Sequence, residues 1–231
     1  NTSISASTSV VTGSNHVSVG GDSSLVAGHK NTTTASMSVV AGYHNNDTGH
    51  YGIVTGLHNT VTGDVNAVFG QSSTVSGSSN IVGGSSHNVA GSGLLAVGHG
   101  AVVDADSTRT IVSGLGNQLT NVVDSLIVGQ GVVATGNRLI AGGVSHNVSG
   151  NNTLVSGDAN TVATDNGLVS GLANVVNGGG LTVFGKANNV SGIFNTVAGY
   201  YTNVTHNGVV VLTDASTVQP FASIANNEIA M

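Results

Sequence analysis

A fourteen-residue repeat limits the fold of this chain more than any other feature. The stretch LHNTVTGDVNAVFG, residues 57–70, is followed at once by QSSTVSGSSNIVGG, residues 71–84, with Val and Gly kept in place. A repeat of this length predicts a solenoid, in which each coil packs on the next. Most coils have 14 residues and the others 13 to 16, and they end at Gly28, Gly42, Gly56, Gly70, Gly84, Gly98, Gly114, Gly129, Gly142, Gly157, Gly171, Gly185 and Gly199.

The composition indicates that the coils consist of strands. The chain contains 35 Gly, only 6% charged residues, and an excess of β-branched side chains, which favour strands. Two Gly per coil would cost a helix about 1 kcal/mol each, whereas Gly suits tight corners because it adopts positive φ. The sequence therefore predicts an all-β, parallel β-solenoid with two short strands and two corners in each coil.

The two strands of a coil have different patterns. In the polar strand one Val lies between small polar residues, as in Thr60-Val61-Thr62, so the Val is expected to point inward. The apolar strand has two or three apolar residues in succession, as in Leu25-Val26-Ala27, so one of them must point outward. Contiguous apolar surface is rare on monomers, which predicts an interface between copies. Its expected residues are Leu25, Val39, Ile53, Ile81, Leu95, Ile111, Leu139, Leu154 and Leu168.

The end of the chain departs from the repeat. Residues 1–212 are predicted to form the repeat domain, and residues 213–231 contain the only Pro, Pro220, and the only Glu, Glu228. A solenoid needs a cap over its last exposed strand edge. Residues 213–231 are therefore predicted to be a cap, or a neck into a further segment.

The net charge and the residue types of the chain argue against several functions. The net charge of -6, with four Lys+Arg, provides no basic patch for a phosphate backbone, so nucleic acid is not an expected partner. There is no Cys, and no apolar run of about 18 residues that would span a membrane. We expect no metal and no cofactor, because the nine His residues lack metal-ligand spacings.

The histidines have structural interpretations. His29, His44 and His58 recur at the start of successive coils and are expected to form a solvated row along one corner. His16, His87 and His146 occupy or adjoin the template Asn position, where a polar side chain can satisfy backbone groups of a corner.

Two clusters are candidate ligand-binding sites. Asp104, Asp106 and Arg109 lie in the sixteen-residue coil 99–114, and insertions in solenoids form loops. Tyr200 and Tyr201 lie where the repeat ends; they could pack under the cap or bind a sugar. The segment GLTVFGKA, residues 180–187, nearly matches a phosphate-binding loop, but Ala replaces the required Ser or Thr, and no helix is expected to follow. No catalytic arrangement stands out, and the chain is not predicted to be an enzyme.

The Gly-punctuated coils, with their NTV-x-G and S-x-V-x-G half-repeats, resemble the YadA-type heads of trimeric autotransporter adhesins and related trimeric phage and virus fibres. The final stretch VVVLTDASTVQPFASIANNEIAM is similar to the segment that follows such repeats. The resemblance implies a left-handed parallel β-roll and a homotrimer around a threefold axis. It also implies an extracellular location, on a cell or virion surface, and attachment to a host-surface glycan, matrix or protein receptor without catalysis.

The half-repeat N-x-V-x-G is also similar to that of ryegrass-type ice-binding proteins, in which a flat array of small polar side chains orders water. The expected array is short and breaks up after residue 76; its members are Thr32, Thr34, Thr60, Thr62, Thr74 and Ser76. Its inward row is imperfect, with Thr33 and Asp47 in place of Val. A purely structural fibre spacer without a ligand is a third possibility.

Overall fold

The chain folds into a β-solenoid. The computed structural model describes residues 4–5, 7–213 and 221–231, and all regular structure within these residues is strand. Pairing between successive coils is parallel, which confirms the predicted fold class. The chain divides into two compact units, Asn1–Gly116 and Asn117–Met231. No helix in the described part is long and apolar enough to cross a membrane.

The first unit contains fifteen described strands. They are β1 Val10–Ser14, β2 Ser18–Val19, β3 Leu25–His29, β4 Thr32–Thr33, β5 Val39–Tyr43, β6 Asn46–Asp47, β7 Ile53–Leu57, β8 Thr60–Val61, β9 Ala67–Gln71, β10 Thr74–Val75, β11 Ile81–Ser85, β12 Asn88–Val89, β13 Leu95–His99, β14 Val102–Val103 and β15 Ile111–Leu115. The odd-numbered strands form an apolar sheet and the even-numbered strands a polar sheet.

The second unit repeats this organisation. Its described strands are β16 Gln118–Val123, β17 Leu126–Gln130, β18 Val133–Asn137, β19 Ile140–Val144, β20 Asn147–Ser149, β21 Leu154–Asp158, β22 Thr161–Asp165, β23 Leu168–Leu172, β24 Val175–Gly179, β25 Thr182–Lys186, β26 Asn189–Ile193, β27 Thr196–Tyr200, β28 Asn203–Val204, β29 Val210–Leu212 and β30 Ile229–Ala230. Even-numbered strands β16 to β28 form its polar sheet, and odd-numbered strands β17 to β29, with β30, form its apolar sheet.

Two inward rows of side chains form the core of each coil. In the apolar sheet Val54 pairs with Val40 and Val68, and all three are buried. In the polar sheet Val61 and Val75 are fully buried between polar neighbours, as the alternating pattern predicted. Full burial of a Val side chain in these rows contributes about 1.5–3 kcal/mol relative to an exposed one.

The Gly at the end of each coil is required by the close approach of the coil that follows. Gly56 has φ +114, and a Cβ added there would lie 1.9 Å from the carbonyl oxygen of Gly70. The same contact recurs in the second unit, where a Cβ on Gly171 would lie 1.8 Å from the carbonyl oxygen of Gly185. Any other residue at these positions would both strain the backbone and separate the coils.

Buried Asn side chains satisfy the corner that follows many of the apolar strands. Asn59 Nδ2 donates to the carbonyl oxygens of Thr55 at 3.2 Å and Gly70 at 2.9 Å. Its Oδ1 accepts the backbone N–H of Ser73 in the next coil at 3.1 Å. A buried polar group is tolerated only when it is hydrogen-bonded, and this Asn pairs backbone groups that the strands leave free.

The opposite corner of the first unit is capped from outside by exposed side chains. Asp22 Oδ1 accepts the backbone N–H of Ser7 at 2.9 Å, and Asp64 Oδ1 accepts that of His50 at 2.7 Å. His50 Nδ1 accepts the N–H of Ser36 at 3.0 Å. The backbone bond from Ser7, followed by the Ser7 hydroxyl bond, lowers the pKa of Asp22 below its usual value.

The described part of segment 213–231 lies on the last coil. Ala222 pairs in parallel with Asn203, and β30 pairs with β29. Glu228 Oε2 accepts the backbone N–H of Ile224 at 2.9 Å. Pro220 lies outside the described residues, and the assignment of the segment as a cap or neck stays a prediction.

Candidate functional site

The most extensive candidate site is an apolar row on the outer surface of the apolar sheets. We call it the outer apolar row and define it as the first residue of each odd-numbered strand from β1 to β29. In the first unit it contains Val10, Leu25, Val39, Ile53, Ala67, Ile81, Leu95 and Ile111; in the second it contains Leu126, Ile140, Leu154, Leu168, Thr182, Thr196 and Val210. None of these residues is buried, and Ile53 and Ile81 are 41% and 53% exposed.

Bulky apolar side chains also occur two positions further along these strands. Phe69 and Val97 in the first unit, and Val128 and Phe184 in the second, are all exposed. They lie on the same face as the outer apolar row because side chains alternate along a strand. The apolar surface is therefore wider than a single row in these coils.

The prediction that Leu139 belongs to the outer apolar row is wrong. Leu139 is fully buried, and Ile140, 50% exposed, takes the outward position. The sequence contains a Gly doublet here, and it is Gly143, not Gly142, that pairs with the coil-end glycines Gly129 and Gly157. The sequence prediction ended this coil at Gly142, one residue too early. The expected register was therefore wrong by one residue, and a shift of one residue exchanges the two faces of a strand.

The insertion between residues 99 and 114 forms a surface bulge. Asp104 Oδ1 accepts the backbone N–H of Ser107 at 3.0 Å and its hydroxyl at 2.6 Å, so this carboxylate closes the loop. Asp106 and Arg109 are exposed. Arg109, with φ 49, also borders an open groove whose other walls include Leu95 and Ile111 of the outer apolar row. The bulge thus brings one charged side chain beside the apolar face.

Tyr200 and Tyr201 form a small aromatic cluster in the second unit. Their rings meet edge to face with centroids 4.3 Å apart, and Lys186 Nζ lies 5.3 Å from the centroid of Tyr200. A hydrogen bond from Tyr201, then one from Lys186, lowers the pKa of Tyr200 below its usual value. Tyr201 is 51% exposed, which leaves its ring open to a ligand.

The predicted corner row of histidines is present in the first unit, with one difference. The rings of His44 and His58 stack at 4.8 Å on adjacent coils, but His29 stacks on Tyr43 at 5.4 Å instead. His29 is the last residue of β3 and pairs with Tyr43, whereas His44 and His58 are the corner residues one position later. No three His, Asp or Glu side chains within the described ranges are grouped as a metal site.

The histidines at the Asn position are buried and replace the amide, as predicted. His87 Nε2 lies 3.1 Å from the carbonyl oxygens of Gly83 and Gly98, and its Nδ1 accepts the N–H of Ala101 at 3.2 Å. This pattern requires the neutral ring with its proton on Nε2. Burial lowers the pKa of His87, which favours that neutral form. His146 makes the equivalent bonds to Gly142 and Asn160.

The outer surface of the polar sheet carries small hydroxyl side chains in the first unit. Thr32, Thr34, Thr60, Thr62, Thr74 and Ser76 are all unburied. Asn46 interrupts the row between Thr32 and Thr60, and beyond Ser76 the row continues with Asn88 and Ala90. Asp47 is buried inside the polar sheet, as expected from the pattern; burial raises its pKa to about 6, and a hydrogen bond from Gly49 opposes this increase.

The segment resembling a phosphate loop has no such structure. Residues Thr182–Lys186 form β25, and Gly185 is a coil-end glycine that pairs with Gly171 and Gly199. The backbone is therefore engaged in the apolar sheet and does not form the loop that would surround a phosphate.

Comparison of the chain with family models and with curated proteins found no match. The fold defines a class, the parallel β-solenoid repeat proteins, and the resemblances to adhesin heads and ice-binding proteins stay predictions.

Proposed function

We propose that this chain is the repeat domain of a non-enzymatic, homotrimeric attachment fibre on a cell or virion surface. The observation that supports the proposal is the outer apolar row. Branched aliphatic side chains recur at the same position of nearly every coil in both units and stay exposed in the single chain. Contiguous apolar surface of this kind marks an interface.

Three copies around a cyclic axis would cover this surface. Each copy offers the same face, and a closed ring of identical contacts leaves no open end at which further copies could add. The polar sheets and the corners would remain in water, where Thr, Ser and Asn side chains of the polar strands are already exposed. These outer surfaces would contact a host-surface glycan or protein receptor, and three copies would strengthen a weak contact.

The test combines assembly with attachment. Ile53→Lys and Ile81→Lys together place charges in the outer apolar row, whereas Val102→Lys places one at an exposed position of the polar sheet as the matched control. We expect light scattering to show trimers for the wild type and the control, and monomers for the double variant. Binding to immobilised matrix proteins and a glycan array should fall at least tenfold in the monomer. A double variant that remains trimeric would contradict the proposed interface.

Ice binding is the second candidate, and the hydroxyl row of the polar sheet favours it. Thr60 and Thr62 recur one coil later as Thr74 and Ser76, which creates a small two-column array. Thermal hysteresis of freezing is the measurement, with Thr62→Tyr expected to abolish the effect. No hysteresis in the wild type would remove this candidate and leave the fibre proposal unchanged.

A further inference from the structure

One corner of the first unit carries a continuous cluster of aromatic and basic side chains. We call it the histidine edge and define it as His29, Lys30, Tyr43, His44 and His58. The Tyr43 ring contacts all three imidazoles, with centroids 5.4 Å from His29, 6.0 Å from His44 and 5.5 Å from His58. The four rings extend over three successive coils, which is about 10 Å at the usual strand spacing.

The polar atoms of this edge are available for a ligand. Neither ring of His44 or His58 has a hydrogen-bond partner among the described residues, and both side chains are exposed. His29 uses Nδ1 in a bond with the Ser14 hydroxyl at 2.8 Å, which leaves its Nε2. Lys30 is exposed in the same corner row as His44.

The acidic side chains of the first unit lie away from the histidine edge. The residues of the histidine edge belong to two rows, the last residue of each apolar strand and the residue that follows it. Neither row contains Asp or Glu in the first unit. The members are Ser14, Asn15, His29, Lys30, Tyr43, His44, Leu57, His58, Gln71, Ser72, Ser85, Ser86, His99, Gly100, Leu115 and Gly116. The exposed acids Asp22 and Asp64 cap backbone N–H groups at the other corner. In a chain of net charge -6, this edge is thus a local basic surface.

We propose that the histidine edge binds an acidic polysaccharide, one that carries carboxylate or sulfate groups. This inference rests on the proposed attachment function and gives it a ligand class and a place. The Lys30 ammonium forms charge-assisted hydrogen bonds with the acidic groups, and the imidazole N–H groups of the edge donate further hydrogen bonds to them. The Tyr43 ring and the imidazoles provide flat apolar surface for the sugar rings.

The edge fits a sugar polymer better than a nucleic acid. Affinity for a phosphate backbone comes from many permanent cations, and the whole chain has four Lys+Arg, of which only Lys30 lies here. Sparse cations separated by rings suit a ligand whose charges alternate with apolar faces. Contacts repeated in the three copies of a fibre would add to one another.

Binding to heparin and to polygalacturonate at pH 5.5 tests the proposal, with dextran as the neutral probe. The test variant combines His44→Gln and His58→Gln with Lys30→Gln; Arg138→Gln, which removes an exposed cation at another corner, is the control. We expect the wild type and the control to bind both acidic polymers at least tenfold more tightly than dextran. The triple variant should lose at least tenfold in binding at pH 5.5.

Two results would overturn the inference. One is equal binding by the wild type and the triple variant, or no binding by either. The other is binding to single-stranded DNA that is as tight as to heparin, which would indicate a general polyanion site. Light scattering on the same samples separates this inference from the fibre proposal: a trimer that binds no polysaccharide overturns only the ligand, whereas a monomer contradicts the fibre itself.

Discussion

Replacement of Asp47 by Val should stabilise the protein at neutral pH. Asp47 is fully buried in the inward row of the polar sheet, between Thr33 and Val61. Its Oδ1 accepts the N–H of Gly49 at 3.2 Å, but its Oδ2 has no hydrogen-bond partner among the described residues. An ionised carboxylate is costly to bury without full pairing. A Val, the residue found at position 61 of the same inward row, would fill this position without a buried charge.

The pH dependence has a defined sign and magnitude. Burial raises the pKa of Asp47 from 3.8 to about 6, so the fold favours the protonated carboxyl. Its contribution to stability is therefore complete below pH 3.8 and is lost as the pH rises to 6. Two pH units at 1.36 kcal/mol each correspond to about 3 kcal/mol. Part of this is already lost at pH 4, so relative to Asp47→Val the wild type should lose about 2 kcal/mol of unfolding free energy between pH 4 and pH 7.

Urea unfolding of both proteins at pH 4, 5, 6 and 7 measures this difference. The subtraction cancels the other titrating groups except those that interact with Asp47, namely His50 and Asp64. Asp158→Asn, an exposed acid of the second unit, is the control and should parallel the wild type at every pH. If the curves for Asp47→Val and the wild type are also parallel, the buried carboxylate is not a source of instability.

Five further substitutions, two of them controls, test the packing and the corners of the coils by thermal unfolding. Gly56→Ala should destabilise the protein by more than about 3 kcal/mol, because its Cβ would overlap a carbonyl oxygen of the next coil, whereas Gly83→Ala, with open space around it, should be nearly neutral. Equal effects would contradict this explanation of the glycine row. Val65→Gly should stabilise by about 1 kcal/mol because Val65 has φ 60, while Val102→Gly in a strand should destabilise. Asn59→Ala should cost about 2–3 kcal/mol through unpaired buried groups; a loss under 0.5 kcal/mol would refute the importance of the buried Asn side chains.

The coil and its two faces could be predicted because they depend on local chemistry that repeats. Gly at every coil end and a single Val between polar residues leave few alternatives to a short inward-facing strand. The same reasoning placed Asp47 inside, although a charged residue is unusual there. It failed at Gly142 and Gly143, since either glycine satisfies the pattern and only the pairing with neighbouring coils selects one.

The capping corner and the mixed His–Tyr cluster were not predicted. Asp22, His50 and Asp64 are not one repeated residue, because Ser36 and His50 occupy the coils between the two acids, although Asp22, His50 and Asp64 all accept a backbone N–H from the preceding coil. The contact of His29 with Tyr43 depends on strand register, which places unlike residues side by side. Exposed polar residues that are separated by multiples of fourteen positions lie at the same place in different coils. A search for such pairs, whatever their residue type, would have identified both groups.

The mass of the folded chain in solution tests the proposed role of the outer apolar row most directly. Sedimentation equilibrium over a wide range of concentrations should give about 68 kDa, three times the 22.6 kDa of one chain. The same mass should persist at moderate urea concentrations, because the contact recurs in successive coils. A single-chain mass of 22.6 kDa at every concentration would contradict the interface and, with it, the attachment fibre.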